Sequence, residues 1–139
     1  MATAIDEEKL HGFVGKMLGD LGGGMSVPTV RLGFRLGLFD ALAEAPATTK
    51  ELAARAGGLH ERYVREWALA QAANGYIDYD AASDRFSVSP EQAMVFVHSD
   101  SPVYLAGAFE LIAAMIEAEA KVEACFRHGT GVRWGDHAG

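Results

Sequence analysis

The stretch that most constrains the fold is residues 31–77, because it contains start and stop signals for three helices and a following strand. The first of these helices is apolar on more than one side and has only a narrow polar strip, at Arg31 and Arg35. Such a helix is buried on several sides. Gly33 and Gly37 lie four residues apart on one face, where each glycine costs up to about 1 kcal/mol of helix stability. We therefore predict that another helix packs closely against this face.

The second predicted helix is short and has clear boundaries. Thr48 can cap its N-terminus, and Glu51 completes a capping box three residues later. Gly57 and Gly58 then stop the helix. Both boundaries are local signals that require no knowledge of the rest of the fold.

A third helix is predicted from about His60 to Asn74. Its inner face is formed by Tyr63, Val64, Trp67, Ala68 and Ala70. Two short runs of strand-forming residues follow, at 76–79 and 85–88, with a polar turn between them. We therefore predict a mainly α fold in which residues 29–88 form a winged helix-turn-helix with a small two-stranded β wing.

Two helical segments flank this unit. The first, at residues 6–21, has apolar residues at helical spacing: Leu10, Phe13, Val14, Met17, Leu18 and Leu21. Gly22 to Gly24 are predicted to break this helix and to form a flexible joint before Met25.

The second flanking segment, residues 90–127, is predicted to hold a short connector and a long helix. Ser89, Pro90 and Gln92 form the cap, first-turn proline and capping box of the connector, which runs through Phe96. Ser101 and Pro102 should start the long helix. One apolar stripe of the long helix consists of Leu105, Phe109, Ile112 and Ile116, and a second of Leu111, Met115, Ala118, Val122 and Phe126. Its solvated side is marked by Glu110, Glu117 and Lys121.

The apolar faces of these flanking helices are too wide for one small domain to cover. We therefore predict a homodimer with intertwined helices, in which Leu105, Phe109, Ile112 and Ile116 lie at the interface. The alternative is a monomer in which the helices cover one another.

Length and composition indicate one small domain, since 139 residues with 50% hydrophobic content bury one core. The single cysteine, Cys125, excludes an internal disulfide and is predicted to be a small buried side chain. No leader peptide and no membrane span are predicted. A cytoplasmic location is the natural expectation.

DNA binding is disfavoured by charge. Residues 46–100 contain five basic and eight acidic side chains, so this unit has a net charge of −3 and repels phosphate on average. The outward face of the third helix continues from its arginines into an apolar strip, which is typical of a protein contact. Arg62, Tyr63 and Arg65 are the candidate DNA contacts if the chain is a transcriptional regulator.

No catalytic residue and no metal site are predicted. The histidines, His11, His60, His98, His128 and His137, are scattered, and no pair of them has a zinc-binding spacing. No Ser, His and acid arrangement can be recognised. The glycine-rich segments do not lie between a strand and a helix, so they do not predict a cofactor loop.

Three segments resemble a known family: LGLFDALAEAPATTKELAARAG at residues 36–57, RYVREWALAQAANGYI at 62–77 and HGTGVRWGDHAG from His128. They resemble the N-terminal winged-helix region of bacterial class I S-adenosylmethionine-dependent methyltransferases, which plant-type small-molecule O-methyltransferases share. The resemblance extends over roughly residues 6–139. It implies a region that dimerises and forms part of a lid over the substrate, while a Rossmann-like domain binds the cofactor and holds the catalytic groups. Residues 128–139 would lead into that domain, which would be expected to start where this chain stops.

Aromatic and sulfur side chains on the first helix and the C-terminal segment are candidates to line one wall of a substrate pocket that another domain completes, the alternative being that Phe13 and Met17 are ordinary core residues. The candidates are Phe13, Met17, Met25 and Trp134. The expected function is thus a noncatalytic dimerisation and substrate-lid module of a small-molecule methyltransferase, with no cofactor bound by this chain alone. Two alternatives are a ligand-responsive winged-helix transcriptional regulator and a short methyltransferase with an unrecognised cofactor site.

Overall fold

A computed structural model describes residues 5–136 of the chain. Within this range the helices and strands are, in order, α1 (Glu7–Arg35), α2 (Leu38–Glu44), α3 (Thr49–Arg55), α4 (Glu61–Ala73), β1 (Asp78–Asp80), β2 (Arg85–Ser87), α5 (Pro90–Phe96), α6 (Ala106–Glu117) and α7 (Glu119–His128). A single 3₁₀ turn follows at Trp134–Asp136. The predicted mainly α, winged helix-turn-helix fold is confirmed.

The capping signals are confirmed at both predicted sites. The Thr48 side chain accepts a hydrogen bond from the Glu51 backbone N–H, and the Glu51 carboxylate accepts one from the Thr48 backbone N–H. Ser89 and Gln92 form the same reciprocal pair at the start of α5. These ends form where predicted because all the groups involved lie within four consecutive residues.

The wing is also confirmed. β1 and β2 pair antiparallel with Tyr79 opposite Phe86, and the Tyr79 ring packs at 4.6 Å from the Phe86 ring. Phe86 exchanges two backbone hydrogen bonds with Ala47, of 2.8 and 2.9 Å. The wing is therefore fastened to the loop that precedes α3.

Phe39 of α2 lies at the centre of the core. Its ring stacks on Phe96 at 4.6 Å and meets the Trp67 ring edge-on at 5.1 Å. The other large, fully buried side chains are Phe86, Leu38, Leu42, Leu52, Ile77, Gln71 and Val30. The core thus joins α2, α3, α4, the wing and α5 with the C-terminal half of α1.

The first helix of the winged unit ends earlier than predicted. α1 stops at Arg35, and Gly37 adopts a left-handed conformation with φ +64° before α2 begins. Gly37 therefore forms a turn that a residue with a Cβ adopts only at a cost. Gly33 does permit a close approach, but to the rings of Phe39 and Trp67 rather than to a helix backbone.

The predicted joint at Gly22 to Gly24 is wrong, because α1 continues through these residues and through Pro28. Helix propagation is cooperative, so glycines lower helix stability without requiring a break. Around Pro28, the Ser26 hydroxyl donates to the Gly23 carbonyl and the Thr29 hydroxyl to the Ser26 carbonyl. These bonds engage carbonyl groups in the turn that the proline disturbs.

The predicted long helix is also wrong, since it starts late and is divided in two. α6 begins only at Ala106. The preceding residue, Leu105, donates its backbone N–H to the Val95 carbonyl of α5. The Ser101 hydroxyl accepts from Val103 in a preceding turn instead of capping the helix. Ala118 separates α6 from α7 and is fully buried. The late start of α6 thus coincides with a contact to α5.

Candidate interface and lid surface

An aromatic cluster attaches the start of α6 to the winged unit. The Phe34 ring lies 5.9 Å from Tyr104 and 6.2 Å from Phe109, and on its other side 5.3 Å from Phe39. Aromatic rings at these separations attract one another through complementary edges and faces. α6 is therefore positioned by the same core that organises the winged unit.

An ion-pair cluster lies beside these rings. Glu110 accepts hydrogen bonds from Arg31 at 2.7 Å and from Arg35 at 3.2 Å. The hydrogen bond from Arg31 is the main cause of the lowered pKa of Glu110, and it raises the pKa of Arg31 in return. Glu110 is exposed, as predicted for a solvated side, and it also joins α6 to the polar strip of α1.

The four predicted interface residues divide into two groups. Phe109 is half-buried and packs against the core of its own chain. Leu105, Ile112 and Ile116 are exposed, with Ile116 60% exposed. These three leave an apolar surface on α6 that their own chain does not cover.

The N-terminal arm, defined here as residues 7–24 of α1, is the largest uncovered element among the described residues. Every residue of it is exposed, including Phe13 at 63%. Met17 in the arm and Met25 just beyond it are exposed as well. Three of the predicted substrate-lining residues therefore lie on an open helical surface and not inside a pocket.

The C-terminal segment holds the fourth predicted substrate-lining residue, Trp134, which is 83% exposed in its 3₁₀ turn. The Lys121 ammonium group donates to the Asp136 carbonyl and so ties this segment to α7. A cleft of about 440 Å³ lies nearby, lined by Lys121, Ala124, Cys125, Thr130, Gly131, Val132 and Asp136. None of the four predicted residues lines it. Cys125 is half-buried, not buried as predicted.

The outer face of α4 presents the residues that were considered for DNA contact. Arg62, Tyr63 and Arg65 are all exposed, as is Leu69. Tyr63 was predicted on the inner face and is instead 73% exposed, with its ring 5.4 Å from His60. The buried face is formed by Val64, Trp67, Ala68 and Gln71.

The wing is acidic, and its only arginine is engaged. Tyr79 donates to Asp84 at 2.9 Å, which raises the pKa of the Tyr79 hydroxyl. Arg85 binds both oxygens of Glu51, at 2.6 and 3.0 Å, and its hydrogen bonds are the main reason why the pKa of Glu51 falls to about 2. This guanidinium is therefore paired with a carboxylate on the surface where a winged helix would meet phosphate.

Residues 5–136 contain no group of three His, Cys, Asp or Glu side chains placed to hold a metal ion, and His137 lies outside the described residues. Over the same range, no helix has the length and apolar character needed to cross a membrane.

Two polar features were missed by the sequence reasoning. Gln71 is fully buried, although a glutamine next to alanines on an amphipathic helix gives little sign of its direction. The Glu110 cluster joins residues 75 to 79 positions apart. The available signal was the polar strip at Arg31 and Arg35, because two arginines on an otherwise apolar helix indicate an acidic partner.

The comparisons with known proteins agree with this architecture. Residues 25–98 match the family model described as the Rv2258c-like winged HTH domain. No curated protein sequence matches the chain significantly.

Solved structures of similar fold include three that are named as a methyltransferase or as a complex with SAH. The mitomycin 7-O-methyltransferase MmcR is 23% identical to this chain with a TM-score of 0.68. The match covers 89% of this chain and 37% of MmcR. PigF with SAH is 19% identical with a TM-score of 0.67, and 82% of this chain covers 37% of it. CalO1, a methyltransferase in calicheamicin biosynthesis in its SAH-bound form, is 20% identical with a TM-score of 0.52, and 77% of this chain covers 29% of it. The chain thus spans about a third of the length of these structures.

Proposed function

Because the chain belongs to the family of Rv2258c-like winged HTH domains, we propose that it is the dimerisation and substrate-lid module of a small-molecule S-adenosylmethionine-dependent methyltransferase. In this proposal the cofactor and the catalytic groups belong to a Rossmann-like domain, in the same polypeptide or on another chain. The module contributes no catalytic residue. It supplies a dimer contact and one apolar wall of the substrate site.

One observation carries the proposal. Most of this chain shares its fold with about a third of each of three structures that are named as a methyltransferase or as a complex with SAH. At 19–23% identity this likeness concerns the fold alone. The uncovered surfaces of α1 and α6 support the functional step. Large exposed apolar patches are typical of contact sites for another protein or domain.

Dimerisation is assigned to the apolar surface of α6 and to α1. Leu105, Ile112 and Ile116 are anchored rigidly, because Phe109 and Glu110 on the same helix fasten it to the winged unit. In a two-fold symmetric dimer the same patch on each copy covers its counterpart. The result is a homodimer whose core contains these three side chains.

The lid role is assigned to Phe13, Met17, Met25 and Trp134, which are exposed apolar or aromatic side chains. A methyl acceptor enclosed between them and a catalytic domain would be shielded from water, which strengthens polar interactions inside the site. Thioether side chains adapt to differently shaped ligands. These four residues would therefore influence the choice of methyl acceptor and not the transfer of the methyl group.

The dimer is tested by charged substitutions on α6. Leu105→Glu and Ile112→Glu should each weaken dimerisation at least tenfold while leaving the thermal unfolding midpoint nearly unchanged, because burial of an unpaired charge is costly only in the dimer. Leu69→Glu is the matched control, since Leu69 has similar exposure on α4. Sedimentation velocity gives the dissociation constants. A dimer that persists in both α6 variants would contradict this interface.

A winged-helix regulator is the second candidate, and the exposure of Arg62, Tyr63 and Arg65 on α4 is the observation in its favour. The acidic wing opposes it, since Asp78, Asp80 and Asp84 would lie near phosphate. Fluorescence anisotropy with duplex DNA separates the two functions. Salt-dependent binding that is lost in Arg62→Ala and Arg65→Ala would support the regulator.

A further inference from the structure

The N-terminal arm is held as a helix by local interactions only. All of its residues are exposed, and a Cβ built on Gly12, Gly15 or Gly19 meets no described atom within 4 Å. The side-chain hydrogen bonds described within it are local, from the Lys9 backbone to Asp6 and from the Lys16 ammonium group to Asp20. The core of its own chain therefore does not stabilise the arm.

The arm is also poor in helix-forming residues. Six of its eighteen positions are glycine: Gly12, Gly15, Gly19, Gly22, Gly23 and Gly24. Each glycine lowers the helix–coil equilibrium constant about fivefold relative to alanine. Isolated helices of about 15 residues are marginal in water even when they are rich in alanine. The arm by itself should therefore be mostly unfolded.

The large apolar residues of the arm share one side of α1, and three of its glycines lie opposite them. Leu10, Val14, Met17 and Leu21 follow one another at intervals of four, three and four residues and form one stripe. At about 100° per residue, Gly12, Gly19 and Gly23 lie on the opposite side. The apolar stripe continues along the same side to Met25, Leu32 and Leu36, all exposed. An apolar surface thus extends along most of a 29-residue helix.

A second copy of this chain fits this surface. In a two-fold symmetric pair, the stripe of each α1 helix would cover the stripe of the other. Apart from the two methionines assigned to the substrate wall, six large apolar side chains along the stripe and its edges are each exposed by 41–63%. Together they supply much of the ~800 Å² that each partner buries in a stable interface. The six are Leu10, Val14, Leu18, Leu21, Leu32 and Leu36.

We propose that the arm is helical only while the stripe of a second copy covers it, and that the arm glycines keep the free arm unfolded. This deepens the homodimer proposed above and rests on it. When a segment folds on binding, it loses conformational entropy in the association step, and this loss lowers the affinity. The glycines would thereby make dimerisation weaker and more reversible than the apolar area alone implies.

Hydrogen–deuterium exchange followed by mass spectrometry tests the conditional folding. The 139-residue chain is measured at concentrations tenfold above and tenfold below the dimer dissociation constant. We expect the amides of residues 7–24 to be protected only at the higher concentration, while the amides of α4 are protected at both. Equal protection of the arm at both concentrations would overturn the proposal.

The role of the glycines is tested by the double substitution G12A/G19A, which adds two Cβ atoms on the side opposite the stripe where no described atom lies within 4 Å. We expect tighter dimerisation, by about tenfold or more, because the arm is already partly helical before association. Gly107→Ala is the control, since Gly107 is an equally open helical glycine in α6. A weaker dimer in G12A/G19A would show that a partner lies against the glycines, and would overturn this role.

The two proposals fail in different ways. A chain that stays monomeric at every concentration removes the proposed homodimer and the conditional arm together. A chain that dimerises with an unprotected arm, or with an arm protected equally in the monomer, leaves the homodimer intact and overturns only the inference about the arm.

Discussion

Trp67 joins α4 to both helices at the front of the winged unit. Its ring is 6% exposed and meets Phe39 edge-on, and its indole N–H donates to the Thr29 carbonyl of α1 at 2.8 Å. Trp67→Ala would leave a cavity and remove this hydrogen bond. We expect a loss of about 3 to 5 kcal/mol in the free energy of unfolding, measured by urea denaturation. Tyr63→Ala on the exposed side of α4 should change it little, and equal effects would contradict the assigned core.

Gly33 is the position where the backbone of α1 comes closest to the core. A Cβ there would lie 2.4 Å from Phe39 Cε2 and 2.7 Å from Trp67 Cζ2, and neither ring can move away freely in a packed interior. Gly33→Ala should therefore destabilise the fold by about 1 to 3 kcal/mol, despite the better helix propensity of alanine.

The comparison with Gly107→Ala isolates this packing effect. Gly107 is also helical, but a Cβ there meets no described atom within 4 Å. Thermal denaturation of both variants should give a lower unfolding midpoint only for Gly33→Ala. A neutral or stabilising effect at Gly33 would mean that the aromatic cluster is looser than described.

At the scale of elements, the capping box of α3 is linked to the wing by one carboxylate. Glu51 accepts from the Thr48 backbone N–H and from Arg85 of β2. Mainly because of the Arg85 hydrogen bonds, the pKa of Glu51 falls from 4.5 to about 2 in the folded protein. A lowered pKa contributes stability that is fully present above the unfolded value and is lost as pH falls towards the folded value.

The free energy of unfolding should therefore decline between pH 4.5 and pH 2 in part because Glu51 is protonated. Glu51→Gln should make that decline shallower, since glutamine does not titrate. Glu66→Gln on the exposed face of α4 controls for the loss of one negative charge. Urea denaturation at several pH values tests this, and identical pH profiles for Glu51→Gln and the unmodified chain would contradict the ion pair.

The elements also show how far local signals extend. The capping boxes of α3 and α5 and the turn between β1 and β2 were predictable, because each depends on residues within one turn of the chain. The continuity of α1 and the late start of α6 were not. In both cases, cooperative helix propagation or a contact with another element overrode the glycine, serine and proline signals.

At the scale of the whole molecule, the proposed function predicts a larger assembly. An antibody raised against this chain should capture, from the source cells, a native species that also contains a Rossmann-like domain and binds S-adenosylmethionine. Intact mass spectrometry and calorimetry with S-adenosylmethionine test this. A native species of 139 residues with no associated chain would contradict the methyltransferase module and leave dimerisation, ligand and DNA binding as its possible roles.

The candidate site was predictable only as a set of surfaces. The sequence indicated that Phe13, Leu105 and Ile112 belong to apolar faces, because periodicity reveals which residues share a side of a helix. It did not reveal that Phe109, on the same stripe, is used by the chain's own core. Whether a stripe is covered depends on where neighbouring elements lie, and periodicity contains no such information.

The sequence by itself determined α3, α4 and the two strands of the winged unit in order, the positions of the caps of α3 and α5, and the identity of most of the core. Those properties depend on backbone propensity, local hydrogen bonds and apolar spacing, each of which involves residues that are close together in the sequence. Only the tertiary structure decided that Glu110 joins α6 to Arg31 and Arg35 and that two aromatic rings pack against the backbone of Gly33. It also decided that the N-terminal arm is left uncovered. Each of these depends on groups far apart in the chain, whose meeting is set by the packing of the whole core.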